Sequence, residues 1–181
     1  MREEVTALLE NRNELLTITY FKIQELFDKK YGENALVLME IGTFFEVYEV
    51  NNEKEKIGKA KEIAELLNIQ LTRKNKSILE NSKENPIMAG VPAISFEKHL
   101  ARIIAEQKYT IAIIRQKGTP PNVSRYLDVV VSPGTNFDFV VEQDDNFITS
   151  IVIDQIRGNY LIGYSAIDVT TAKCYYNEVF G

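Results

Sequence analysis

The first part of the chain alternates between helical and strand-like hydrophobic patterns. Apolar residues recur every three or four positions along three segments, which predicts helices at 15–31, 59–67 and 95–107. Short apolar runs between these segments predict strands at 35–41, 47–50, 69–72, 86–92 and 110–114. The order strand, helix, strand, helix, strand predicts an α/β domain, with a mixed sheet on which helices pack.

The last part of the chain has a different pattern. Three strand-like runs, at 147–156, 160–168 and 173–179, follow one another with no helix between them. Three strands alone bury a face poorly, so we expect the start of a second domain and a longer native protein. The predicted division is a domain at 1–135, an acidic linker at 136–146 and an incomplete domain at 147–181.

Composition narrows the class of protein. The 181 residues are 45% hydrophobic and 26% charged, which indicates a globular fold, and no apolar run is long enough to cross a membrane. The single Cys174 excludes an internal disulfide and, with the lone His99, makes a structural zinc site implausible. The charged start of the chain does not resemble a secretory signal, so we expect a cytoplasmic protein.

The net charge of −5 is unevenly distributed. Residues 1–125 carry 19 Lys/Arg against 18 Asp/Glu, whereas residues 126–181 carry 2 against 8. The first 125 residues are therefore nearly neutral, and they contain a local basic cluster at Arg73, Lys74 and Lys76. Such a cluster is usually a solvated loop, although it is also compatible with contact to a phosphate backbone.

Two other function classes are consistent with single features of the sequence. Asp154 and Asp168 lie on adjacent predicted strands and could converge on a divalent metal, as in a metal-dependent nuclease. An exposed Phe44 could instead anchor a protein partner, which would make the chain an interaction module.

The most informative segment is Gly-Thr-Phe-Phe-Glu at 42–46. Two adjacent phenylalanines directly after a glycine turn are unusual, because in a strand one of them must face away from the core. One interpretation is structural, with Phe45 in the core and Phe44 packed on a neighbouring loop. The other is a rigid aromatic side chain at a turn tip, with Glu46 on the same side of the strand.

Four segments, in order, resemble the MutS family of DNA mismatch repair proteins. The first, at 42–46, matches the family's Gly-Asp-Phe-Tyr-Glu. The others are Leu-Thr-Arg at 71–73, Pro-Ile-Met-Ala-Gly-Val-Pro at 86–92 and Ser-Pro-Gly-Thr at 132–135. The resemblance implies an N-terminal mismatch-recognition domain, followed by the first strands of an RNase H-like connector domain.

Some positions depart from the family pattern. Thr43 replaces the aspartate before the phenylalanine, and Ala93-Ile94 replaces Tyr-His after the Gly-Ile-Pro element. The usual Cys-Glu-Gln appears as Ile114-Arg115-Gln116. These departures indicate a divergent subfamily. The Phe-x-Glu pair itself, Phe44 and Glu46, is intact.

The resemblance implies a role for each site residue. Phe44 would insert into the minor groove and stack on a mispaired base, and Glu46 would contact the mispair. From their charge alone, Arg73, Lys74 and Lys76 are the candidates for contacts to the DNA backbone. The implied partner is double-stranded DNA with mispairs or small loops.

The resemblance also carries expectations for the whole protein. The family couples DNA binding to a C-terminal ATPase and dimerisation module, so ATP, Mg²⁺ and a dimer are expected for the full-length protein. No residue of that module is recognised in this sequence. We therefore expect no catalytic residue, metal site or cofactor in the 181 residues.

Overall fold

The computed structural model describes residues 1–133 and 147–181. Its residues form two compact units, Met1–Ser132 and Pro133–Gly181. The predicted linker at 136–146, and Gly134 and Thr135 of the fourth family motif, lie outside the described residues. The predicted domain limits therefore stay predictions.

The first unit contains four α-helices and seven strands among its described residues. The helices are α1 (Arg2–Glu10), α2 (Leu16–Tyr31), α3 (Ala60–Leu67) and α4 (Phe96–Ala105), with a 3₁₀ turn at Ala93–Ser95. The strands are β1 (Ala35–Ile41), β2 (Phe44–Asn51), β3 (Lys56–Gly58), β4 (Thr72–Arg73), β5 (Ile87–Pro92), β6 (Thr110–Lys117) and β7 (Ser124–Val131).

These strands form one mixed sheet, as predicted. The order is β4-β5-β2-β1-β6-β7, and β3 pairs with β2. β1 and β6 are parallel, and the other neighbours are antiparallel. β1 and β2 therefore lie in the middle of the sheet, where both faces are covered.

The two faces of the sheet have separate cores. On one face, Tyr20 and Phe27 of α2 pack with Met39 and Tyr48 of the central strands. On the other face, Phe45 of β2 packs against Phe96 of α4. Successive residues of β2 therefore belong to opposite cores, as the alternation of side chains along a strand requires.

Several local features differ from the sequence prediction. The helix α1, the short strand β3 and most of β7 were not predicted, because each is short or has a weak apolar pattern. A strand was predicted at 69–72, but the observed strand is Thr72–Arg73, and the Ile69 amide instead donates to the Ala64 carbonyl just after the end of α3. The helix predicted at 95–107 is observed at Phe96–Ala105, and the Ser95 hydroxyl donates to the Pro92 carbonyl.

The second unit is a three-stranded antiparallel sheet. Its strands are β8 (Phe147–Ile156), β9 (Asn159–Asp168) and β10 (Cys174–Phe180), in the order β10-β9-β8. Arg157 and Gly158 join the first two strands with φ values of +52° and +90°, as in a two-residue type I′ hairpin. The three predicted strands are confirmed, whereas the RNase H-like character of the domain stays a prediction.

Within the two described ranges, no helix has the length and apolar character that a membrane-spanning helix requires.

Candidate nucleic-acid interface at the hairpin tip

The turn between β1 and β2 is a tight hairpin. Ile41 pairs with Phe44, so that only Gly42 and Thr43 lie between the strands. Gly42 has a φ of +61°, a conformation that glycine adopts without a steric penalty and that a two-residue type II′ turn requires at its first position. We call Gly42, Thr43 and Phe44 the hairpin tip.

Neighbouring segments hold the hairpin tip from both sides. The Gln116 side chain, on β6, accepts a hydrogen bond from the Gly42 amide (3.1 Å) and donates one to the Gly42 carbonyl (2.6 Å). On the other side, the Ala93 amide donates to the Thr43 carbonyl (2.8 Å). The turn is thus fixed in place by contacts from two other parts of the chain.

The two adjacent phenylalanines have different environments. Phe45 is buried and stacks on Phe96, with 3.6 Å between ring centroids and 15° between ring planes. The Arg115 guanidinium lies 5.4 Å from the Phe45 ring. Phe44, in contrast, leaves 43% of its surface exposed at the hairpin tip. The structure therefore combines a core phenylalanine with an exposed aromatic side chain on a fixed turn.

Glu46 lies on the same face of β2 as Phe44 and belongs to a polar cluster. Its Oε2 accepts hydrogen bonds from the Tyr48 hydroxyl and from Lys74 Nζ (3.2 Å). Lys74 Nζ also donates to the Tyr48 hydroxyl (3.0 Å). Both contacts use Oε2, and among the described residues no hydrogen bond reaches Oε1. The Glu46 carboxylate is held in place and keeps one oxygen for a further donor.

Tyr48 connects this cluster to the core. Its ring is buried and packs edge-on against Tyr20, with 4.8 Å between ring centroids. Burial, followed by the charge of Glu46, raises the pKa of Tyr48 above its ordinary value. The hydroxyl therefore stays protonated and remains a donor to Glu46.

The three basic residues predicted as a cluster have separate environments. The Arg73 guanidinium donates to the Ile78 and Leu79 carbonyls and so holds its own loop. Lys74 is paired with Glu46. Lys76 is exposed, and no ion pair or side-chain hydrogen bond is found for it in the described ranges. The structure thus brings only Lys74 to the predicted aromatic-carboxylate pair.

Sequence reasoning missed two cations near the hairpin tip. Arg125 on β7 pairs in register with Gln116, and Lys117 is exposed at the end of β6. The strand order places Arg125 three strand spacings, about 14 Å, from Phe44. Burial lowers the pKa of the Arg125 guanidinium, although nearby Tyr48, Glu40 and Glu46 act in the opposite direction. Neither residue belongs to a basic cluster in the sequence, so no local pattern marked them. Only strand pairing brings them to the end of the sheet that carries the hairpin tip.

The two aspartates of the nuclease hypothesis do not converge. Phe147 pairs with Asp168, whereas Asp154 pairs with Leu161 at the other end of the β8–β9 hairpin. Seven residues along a strand separate the two positions by about 23 Å. The Asp168 carboxylate accepts hydrogen bonds from Thr170 and Thr171. Over residues 1–133 and 147–181, no group of three or more metal-ligating side chains was found.

One segment has the glycine spacing of a phosphate-binding loop but lacks the rest of that motif. Glycines at 158 and 163 have the spacing of a phosphate-binding loop, but Tyr164 occupies the position of the required lysine. This segment runs through the β8–β9 hairpin and does not lead into a helix.

Comparisons with known proteins agree with this architecture. The sequence model of the family described as MutS domain I matches residues 20–140. That range contains the hairpin tip, Glu46 and all three residues of the predicted basic cluster.

Individual relatives cover most of the chain. A mutS homologue from Acanthamoeba polyphaga mimivirus is 30% identical over 94% of this chain and 16% of its own length. The DNA mismatch repair proteins MutS of Halothermothrix orenii and Chlorobium phaeobacteroides are 27% and 29% identical, each over 83% of this chain and 16% of their own length. The chain thus spans about a sixth of the length of these relatives. It belongs to the MutS family, and residues 20–140 correspond to MutS domain I.

Proposed function

We propose that this chain binds double-stranded DNA that carries mispairs or small loops, as the recognition part of a MutS-like mismatch repair protein. One observation carries the proposal: Phe44 is 43% exposed on a turn that Gln116 and Ala93 hold from both sides. An aromatic wedge must keep its position while it separates two bases, and a flexible loop would not resist that force.

The free energies explain how such a wedge discriminates. Unstacking a base step costs a few kcal/mol, and less where pairing is already weak. Stacking a base on an aromatic ring returns about 1–3 kcal/mol. The two terms nearly cancel on matched DNA. On a mispair or loop the cost is smaller, and insertion of Phe44 becomes favourable.

Glu46 adds a second element of selectivity. A carboxylate close to the phosphate backbone is repelled, unless it gains a hydrogen bond from a base. The contacts from Lys74 and Tyr48 hold Oε2, so we assign Oε1 to a donor on the displaced base. On matched DNA no such donor is available, and the repulsion remains.

The phosphate contacts are assigned to cations around the hairpin tip. Arg73, Lys74 and Lys76 on their loop remain the proposed contacts from the sequence. To these we add Arg125 and Lys117 as proposed contacts, because the strand order puts them on the opposite side of the tip. Cations on both sides of a wedge suit a duplex whose two strands pass on either side of it.

The test is fluorescence anisotropy at low salt with three duplexes: matched, G·T mispaired and carrying a one-base loop. We expect the wild-type chain to prefer the two defective duplexes and Phe44→Ala to lose that preference. Phe147→Ala is the matched control, because Phe147 is a phenylalanine of similar exposure (40%) on β8. Equal binding of all three duplexes, unchanged by Phe44→Ala, would contradict the proposal. Partner-protein binding without DNA affinity would favour an interaction module.

Further proposals concern a full-length protein of which this chain is a part. By analogy with the family, we infer that such a protein dimerises and uses ATP and Mg²⁺ through residues outside this 181-residue sequence. We also infer that it acts in the cytoplasm, where it meets DNA. The 181 residues themselves are assigned binding and no catalysis.

A further inference from the structure

We propose that Ile94 is a second apolar contact, which enters the DNA groove beside Phe44. The inference rests on the proposed function and extends the interface to the 3₁₀ turn at Ala93–Ser95. Ile94 is 99% exposed, more than any other large hydrophobic side chain among the described residues.

The position of Ile94 is tied directly to the hairpin tip. Pro92 pairs in register with Phe44, and the next residue, Ala93, donates its amide hydrogen bond to Thr43. Ile94 follows immediately. Two apolar residues, Phe44 and Ile94, therefore lie on adjacent backbone segments at the same end of the sheet.

The turn that carries Ile94 is well supported. The Ser95 hydroxyl donates to the Pro92 carbonyl (3.3 Å), and His99 Nδ1 lies 2.8 Å from the Ser95 carbonyl oxygen. Pro92 restricts its own backbone and has a φ of −58°. An isolated exposed aliphatic residue is ordinary on a protein surface, but Ile94 combines full exposure with a supported turn at the proposed interface.

The charges around Ile94 suit a nucleic acid. The nearest carboxylate along the chain, Glu97, is paired with Arg115 (3.2 Å), and the next residue, Lys98, is exposed. The chain next to Ile94 therefore offers an exposed cation and an ion-paired carboxylate to an approaching phosphate backbone. This balance favours an anionic partner such as DNA over a purely apolar one.

An aliphatic side chain has a defined use at this position. Proteins that kink DNA through the minor groove insert residues such as Phe, Leu and Ile, which fill the opened groove and keep it from closing. Phe44 opens the base step, and Ile94 covers the apolar sugar edges that become accessible beside it. Since matched DNA resists this opening, Ile94 contributes mainly to binding of the defective duplex.

The experiment compares two substitutions at Ile94 with the same substitutions at Ile153. Ile153 is also an exposed aliphatic residue (65%), and it lies on β8, to which no DNA contact is assigned. Anisotropy is measured on matched and one-base-loop duplexes for Ile94→Ser, Ile94→Glu, Ile153→Ser and Ile153→Glu, with Phe44→Ala alongside.

We expect Ile94→Ser to weaken binding of the looped duplex about five- to tenfold and to change matched binding less. Ile94→Glu is expected to weaken both duplexes, and the loss should shrink as salt rises, because the new carboxylate lies within a Debye length of the phosphates. The Ile153 variants should bind like wild type.

The outcomes separate this inference from the proposed function. If Phe44→Ala removes the preference for the looped duplex while the Ile94 variants match the Ile153 variants, Ile94 lies outside the interface and the inference is wrong. If Phe44→Ala changes nothing, the proposed function itself fails. An equal effect of Ile94→Ser on matched and looped DNA would also overturn the role in the opened groove.

Discussion

Lys74 Nζ lies 3.2 Å from Glu46 Oε2, although 28 residues separate the two positions in the chain. The pair lies at the edge of the surface, with 38% of the Lys74 side chain and 12% of the Glu46 side chain exposed. Lys74 was assigned to the DNA backbone from its charge alone. The structure shows it in contact with Glu46, the carboxylate proposed to touch the mispair. In the proposed complex with DNA, Lys74 would reduce the repulsion between Glu46 and the approaching duplex.

The first prediction concerns this pair. Lys74→Ala leaves the Glu46 charge uncompensated, so affinity for all duplexes should fall about two- to fivefold at low salt. In the Glu46→Gln background the loss should be smaller, because the charge that Lys74 compensates is gone and only its proposed phosphate contact remains to be lost. Anisotropy on the four variants of the double-mutant cycle measures the coupling. An equal loss in both backgrounds would show that the Lys74–Glu46 pair does not contribute to DNA binding.

The second prediction contrasts the two adjacent phenylalanines. Phe45→Ala removes a buried ring that stacks on Phe96, and we expect it to lower the free energy of unfolding by about 3–5 kcal/mol. Phe44→Ala should change it by less than about 1 kcal/mol, because the ring is half exposed. Urea unfolding followed by circular dichroism gives both values. Similar losses for the two variants would mean that Phe44 is a structural residue.

The third prediction concerns the support of the hairpin tip. Gln116→Ala removes both side-chain hydrogen bonds to Gly42, so the turn gains freedom and Phe44 loses its fixed position. We expect the preference for looped over matched DNA to fall severalfold and the free energy of unfolding to drop by about 1–2 kcal/mol. Anisotropy and urea unfolding are measured together. Gln155→Ala, at an exposed position on β8, is the control. An unchanged preference in Gln116→Ala would show that the wedge needs no support from β6.

The fourth prediction tests the cation that sequence reasoning missed. If Arg125 contacts a phosphate, Arg125→Ala should weaken matched and mispaired duplexes alike and lower the slope of log affinity against log salt by about 1. Lys29→Ala is the control, because Lys29 is an exposed cation in the last turn of α2, which leads into the start of β1, whereas the hairpin tip follows the other end of that strand. A slope that stays at the wild-type value in Arg125→Ala would remove this residue from the interface.

Most of the fold follows from local sequence patterns. The repeat of Tyr20, Ile23 and Phe27 predicts α2 and its buried face, and Gly32 marks its end with a φ of +81°. The alternation along β2 and the glycine before it predict a hairpin with Phe44 near its tip and Phe45 in the core. Most of strand β7 was not predicted, because the residues at 124–126 interrupt the apolar pattern.

The site was only partly predictable for a different reason. Phe44 and Glu46 are two residues apart on one strand, so their shared face is a property of the backbone alone. The contacts that support them join distant positions: Gln116 lies 74 residues from Gly42, and Lys74 lies 28 residues from Glu46. No local pattern encodes such pairs, since they depend on which strands become neighbours.

The sequence by itself determined the elements, the hairpin and the aromatic-carboxylate pair, because periodicity and turn preference act over a few residues. Only the tertiary structure decided which side chains support that pair and which cations and apolar residues surround it. The parallel pairing of β1 with β6 brings Gln116 to the turn, and the antiparallel pairing of β2 with β5 places Pro92 opposite Phe44, two residues before Ile94. The exposed Phe44 is a local feature of the chain, whereas the surface around it is a product of strand order.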